Sequence, residues 1–150
     1  MALLPFHRSS ISFLCVLSLT WALAPAQATY KPEYEAAPQA VREWFQHQLI
    51  MPAAQPRLGW VSCCDHADRL RTKFVGTNNG DTWYYYTDPN CTQKGCKLAR
   101  IPDDVIHPEE IRALDPKDDQ LPEFDQMREE GVLMIFASKV TCFWPPQTGI

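Results

Sequence analysis

The stretch Arg69-Leu70-Arg71-Thr72-Lys73-Phe74-Val75, followed by Gly76-Thr77-Asn78-Asn79-Gly80-Asp81 and then Thr82-Trp83-Tyr84-Tyr85-Tyr86-Thr87, decides how this chain folds. Its first part alternates Leu70, Thr72 and Phe74 with Arg69, Arg71 and Lys73, the period of two that marks a half-buried strand. The middle part supplies turn residues that tolerate positive φ. The last part is rich in aromatic and β-branched residues, which pack well on a pleated surface. The three together predict a β-hairpin. Trp83 and Tyr85 fall on one face of its second strand and Tyr84 and Tyr86 on the other. One face must cover a core, so at most half of these rings can meet solvent.

Upstream, Val41, Trp44, Phe45 and Leu49 recur at three- and four-residue intervals. This predicts a helix over 39–49 with one apolar stripe, Pro38 in its first turn and Pro52 and Pro56 as its stop. Downstream, Lys97–Ile101 reads as a short strand, and Asp103-Asp104 favours a helical turn through Ile106. A second turn is expected from His107-Pro108-Glu109-Glu110 toward Leu114. The acidic run from Asp115 to Glu130 lacks clear periodicity and reads as a surface loop with one helical turn. Asp115, Asp118 and Asp119 lack the glycine and terminal glutamate of a calcium loop and read as a solvated face. Gly131–Ala137 and Val140–Trp144 form a second hairpin, ended by Pro145-Pro146. The order predicts an α+β domain in which an N-terminal helix packs on a small antiparallel sheet, with a partly closed SH3-like barrel as one form of that sheet.

The first 28 residues read as a cleaved signal peptide: His7 and Arg8, the apolar run Ile11–Leu23, and Ala26-Gln27-Ala28 before the cut. The apolar run is shorter than the about 20 residues of a membrane span. Cys15 would leave with it. Residues 29–38 then form a flexible leader, and 39–150 a single disulfide-stabilised domain. The chain has 14 Lys+Arg against 18 Asp+Glu and a net charge of −4, and loss of Arg8 makes the mature domain one unit more negative. A nucleic-acid partner, which calls for a clustered basic footprint, is not expected. No polybasic patch points to a membrane after cleavage.

Export allows disulfides to persist. The cysteines left are Cys63, Cys64, Cys91, Cys96 and Cys142, an odd number that cannot close completely within the chain. Vicinal cysteines rarely bond to each other, because the eight-membered ring strains the peptide between them. The spacing therefore favours Cys91 with Cys96, and one of Cys63 and Cys64 with Cys142. The long bridge would contribute about 2–4 kcal/mol.

Three chemistries fit these residues. Cys63, Cys64, Asp65 and His66 carry donors that suit zinc or copper, but adjacent ligands seldom reach one tetrahedral centre. Either vicinal cysteine would become a nucleophile beside His66 or His107, but the Cys-x-x-Cys spacing of a redox domain is absent. The aromatic hairpin can offer Trp83, Tyr84, Tyr85 or Tyr86 to a protein or glycan partner, aromatics being frequent interface anchors. No catalytic residue and no cofactor is indicated.

Several motifs fall in a familiar order: Trp44-Phe45 with Leu49, Ser62-Cys63-Cys64-Asp65 with Asp68, Gly80-Asp81-Thr82-Trp83, Ile101-Pro102 with Val105, and Cys142-Phe143-Trp144-Pro145-Pro146. In this the chain resembles a group of small exported proteins of alphaproteobacteria over most of residues 41–146. That group often has a third cysteine after the second aspartate and another before the final motif; here Arg69 and the run ending Ile135-Phe136 stand there, and Cys91 and Cys96 lie in a loop. The resemblance implies a bacterial envelope or secreted protein and no particular activity. The sequence thus favours an exported, non-enzymatic partner- or ligand-binding domain. The competing reading is a periplasmic redox or metal-handling protein built on the vicinal cysteines.

Overall fold

The computed structural model describes residues 35–64, 67–77, 81–91 and 95–147. The expected signal peptide and most of the leader lie outside them, as do Asp65 and His66 and the hairpin tip 78–80. Helix α1 spans Gln39–His47 and buries Val41, Trp44 and Phe45, with Pro38 as its N-cap. It stops two residues earlier than the periodicity predicts, because Gln48 turns extended (φ −77°, ψ 124°). Leu49 then bridges Ser62, and the Ile50 N–H donates to the Val61 carbonyl. Once the backbone is extended, neighbouring side chains alternate sides. Leu49 therefore points out, 56% exposed, and Ile50, 1% exposed, takes the core position expected of Leu49. Pro56 starts rather than stops a helix: it lies in the first turn of the short α2, Gln55–Leu58, where a missing N–H costs no hydrogen bond.

The strands are β1 (Asp68–Arg69), β2 (Phe74–Gly76), β3 (Trp83–Tyr86), β4 (Leu98–Arg100), β5 (Val132–Phe136) and β6 (Lys139–Trp144). They form two antiparallel sheets, ordered β1-β5-β6 and β2-β3-β4, which do not close into a barrel. The α+β expectation holds, with two three-stranded sheets in place of one. The first hairpin is the β2–β3 pair, with Phe74 opposite Tyr85, Val75 opposite Tyr84 and Gly76 opposite Trp83. Its first strand is shorter than the alternation suggests, because the run divides between sheets. Asp68 and Arg69 pair with β5, the Leu70 N–H donates to the Leu133 carbonyl, and pairing with β3 begins only near Lys73, whose carbonyl accepts from Tyr86.

β6 is the strand on which the molecule is assembled, buried on both faces from Val140 to Trp144. Phe143 meets Phe74 at 4.9 Å and Trp83 at 5.7 Å between ring centroids, joining the two sheets. Trp144, one residue on and so on the opposite face, meets Trp44 of α1 at 5.0 Å. Burial of such rings is worth about 25 cal/mol per Å² of apolar surface, and this contact seats the helix. A bulge leaves Thr141 without a partner opposite it on β5; its hydroxyl donates to the Met134 carbonyl at 3.1 Å, so the buried polar atom is satisfied.

The segment 115–130 departs most from expectation. Its second half is a nine-residue helix, α3 (Pro122–Glu130), which buries Phe124 and Met127. Pro122 opens it, and Glu123 and Asp125 in the first turn favour the positive end of its dipole. A 3₁₀ turn at Asp118–Gln120 precedes it, and another at Asp103–Val105 matches the turn expected there. The turn expected after His107 is absent: residues 107–113 run without regular structure. Asp119 is not simply solvated, since its Oδ1 accepts from the Ala113 N–H at 2.9 Å and from Arg128 at 3.1 Å.

Candidate functional site

Two places collect the residues singled out by the sequence. The first is a buried centre made by three separate segments. The Cys63 N–H donates to the Gln48 carbonyl at 3.0 Å, which fixes Cys63 beside the end of α1. Cys142 lies on β6 opposite Met134. His107 follows Ile106, which makes a parallel bridge to Phe143, and the His107 N–H donates to the Phe143 carbonyl at 2.8 Å. That bridge covers the outer edge of β6 and lays the imidazole flat on Trp144, 4.0 Å between centroids and 17° between planes.

Cys63 is joined to Cys142, and Cys91 to Cys96. Of the vicinal pair, Cys63 therefore forms the long bridge. Cys64 keeps its thiol, whose Sγ donates to the Phe45 carbonyl at 3.0 Å. The two neighbours point to different surroundings, and Asp65 and His66 lie outside the described residues. What the structure brings to Cys63 is His107, with Nε2 at 3.8 Å from Sγ. The other ring nitrogen, Nδ1, faces the Glu109 carboxylate at 3.6 Å. Burial holds the His107 pKa below its ordinary 6.5, and the negative charge of Glu109 only partly opposes this. The neutral ring is the favoured form near pH 7. A nucleophile at Cys63 is blocked while its sulfur is in the bridge, although His107, one of the two activators considered, is indeed its neighbour.

The second place is the outward face of the β2-β3-β4 sheet. Trp83 and Tyr85 point inward and are buried, with Phe74 and Ala99 beside Tyr85 in the ladder. Tyr84 and Tyr86 point outward and are half-buried. The registers set them in two cross-strand rows. Val75, Tyr84 and Arg100 form one row; Lys73, Tyr86 and Leu98 form the other. Val75 and Leu98 are 38% and 41% exposed, so apolar surface continues across the face. Lys73 and Arg100 border it, and Arg100 also pairs with Asp103 at 2.8 Å. The hairpin rings divide by face as their alternation requires.

A third feature, without a signal in the sequence, is a cleft of about 580 Å³ between α1, β1 and α3. Its lining combines Val41, Phe45, Leu70 and Met127 with Arg69, Arg71 and Glu123. No local motif announces it, because its walls come from the separate segments 36–45, 69–71 and 123–127. Arg69 is held within it by Glu130 at 3.7 Å.

No protein-family model, curated protein or solved structure matches the chain. Among the described residues no helix is long and apolar enough to cross a membrane.

Proposed function

We propose that this is an exported, non-enzymatic binding domain of the bacterial periplasm or extracellular space, and that a protein partner docks on the outward face of the β2-β3-β4 sheet. Two disulfides suit an oxidising compartment, in keeping with the export signal read in residues 1–28. The observation that carries the docking surface is the pair of rows, with half-buried Tyr84 and Tyr86 flanked by exposed Val75 and Leu98. Tyrosine is favoured at interface centres because it combines a large apolar body with a polar tip. A sugar would use the rings but gain little from Val75 and Leu98, which offer no hydrogen bonds. A protein with an apolar patch bordered by carboxylates would use the whole face, meeting Lys73 and Arg100 at its margin.

Photo-crosslinking in the producing cell tests this. A photoreactive residue at Leu98 is expected to give a discrete protein adduct that disappears with Tyr84→Ala. The same residue at Leu114, exposed and outside this sheet, is expected to give none. Equal adducts at both positions, or none at Leu98, would overturn the assignment; labelling of a glycan instead would redirect it to a sugar ligand.

A further inference from the structure

The buried centre at β6 has a chemistry that the docking surface does not use. Cys63 Sγ, Cys142 Sγ and one ring nitrogen of His107 lie within 4.8 Å of one another, and all three residues are buried. They come from three segments separated by 35 or more residues of sequence, so the fold, and not a local motif, assembles them. His107 is held as a metal ligand is held. Its ring is clamped on Trp144, and Nε2 faces the sulfur of Cys63 while Nδ1 faces the Glu109 carboxylate. A proton on Nδ1, toward Glu109, leaves the Nε2 lone pair facing the Cys63 sulfur. At 3.6 Å the Glu109 charge favours the proton on Nδ1, and a carboxylate so placed can orient a ligating imidazole.

From this geometry we infer that Cys63, Cys142 and His107 form a copper(I) site when the disulfide between the two cysteines is reduced. Two thiolates and an imidazole are a soft donor set. Among the described residues no fourth His, Cys, Asp or Glu joins the group. Three donors suit trigonal copper(I), whereas structural zinc is almost always held by four. The same two sulfurs thus serve either as a clasp or as ligands.

The interconversion balances as follows. A dithiol reductant gives two electrons and two protons to the Cys63–Cys142 bond; that S–S bond breaks, two thiols form, and the reductant closes its own disulfide. Copper(I) then displaces both thiol protons to solvent and forms two Cu–S bonds and one Cu–N bond. Its oxidation state does not change, and the centre carries one net negative charge. Burial keeps water from the ion and from the thiolates.

The site is distinct from one built on the vicinal pair with Asp65 and His66, and the two are separable. Protein carrying Cys91→Ser and Cys96→Ser, reduced by a dithiol and freed of it without oxygen, is titrated with copper(I) against a chromophoric copper(I) chelator. One copper(I) per chain is expected, with none bound by the oxidised protein. His107→Ala is expected to weaken binding more than about 100-fold and Glu109→Gln about 10-fold, the size of an orienting partner's effect. Cys64→Ser and His66→Ala are expected to leave it unchanged. X-ray absorption of the loaded protein with all three ligands intact is expected to show two sulfurs and one imidazole nitrogen, with the near-UV signal of the packed tryptophans retained. That spectrum decides the matter if His107→Ala does not fold. Three sulfurs around copper, loss of binding with Cys64→Ser or His66→Ala, a reduced chain that binds no copper(I), or loading only of an unfolded chain would each overturn the inference. So would one-to-one binding of zinc in preference to copper(I).

Discussion

His107 shows how one side chain can be fixed by its surroundings on every side: Trp144 below, the Cys63 sulfur at one nitrogen and Glu109 at the other. Burial disfavours its charged form, so its folded pKa lies below 6.5. In the unfolded chain the ring takes up a proton as the pH falls through about 6.5; in the folded protein it resists until lower pH. Its contribution to stability is therefore complete above that value and declines as the pH drops toward the folded pKa. The wild-type protein is expected to lose more melting temperature between about pH 7.5 and 5.5 than His107→Gln does. Equal losses would show that His107 does not titrate in this way. Gly131 is constrained by its backbone. Its φ of +75° is a glycine conformation, and an added Cβ would lie 2.9 Å from the Trp144 carbonyl oxygen and 3.0 Å from Pro146. Gly131→Ala is expected to cost about 1–3 kcal/mol from backbone strain alone, measurable by denaturant unfolding.

At the scale of elements, the alternation in 69–87 was legible because it reports which side of a strand is buried. It says nothing about which strand is the neighbour. The run could therefore be read as extended while its division between β1 and β2, and hence between two sheets, stayed hidden. The same reasoning explains α3. Only Phe124 and Met127 are buried on it, too few apolar positions for a visible period. What holds it is tertiary: Arg128 donates to the Ile111 and Asp119 carbonyls and to the Asp119 carboxylate, besides pairing with Asp125 of its own helix. Arg128 thereby fastens the 111–119 segment to the helix. Arg128→Ala is expected to destabilise the protein by about 2 kcal/mol, charge-assisted hydrogen bonds being worth about 1.5–3 kcal/mol each but not additive. Amide exchange should rise first at Ala113, whose N–H is bonded to Asp119; uniform exchange across the molecule would contradict a local role.

For the whole molecule, the Cys63–Cys142 bridge ties the segment after α1 to β6 across 79 residues of sequence, whereas Cys91–Cys96 spans five. The loop entropy removed from the unfolded chain grows with that span. Replacing Cys63 and Cys142 by serine is expected to cost about 4 kcal/mol, against about 2 kcal/mol for the Cys91 and Cys96 pair, by urea unfolding. The sequence could nominate Cys142 as the distant partner because the remaining cysteines were few. It could not choose between Cys63 and Cys64, since that depends on the side chain's direction after Ser62 pairs with Leu49. Nor could it place His107, brought to Cys63 by a bridge to Phe143 that leaves no trace in local spacing. By contrast, the division of the hairpin rings into inward Trp83 and Tyr85 and outward Tyr84 and Tyr86 follows from alternation alone, and the docking surface rests on it. The most direct measurement is the affinity of the crosslinked partner, once purified, for wild-type protein and for the double variant Tyr84→Ala, Tyr86→Ala. Binding weaker by at least about 30-fold, the size of a hot-spot loss, by a double variant that keeps the near-UV spectrum of the folded protein is the predicted result; unchanged affinity in the folded double variant would contradict it.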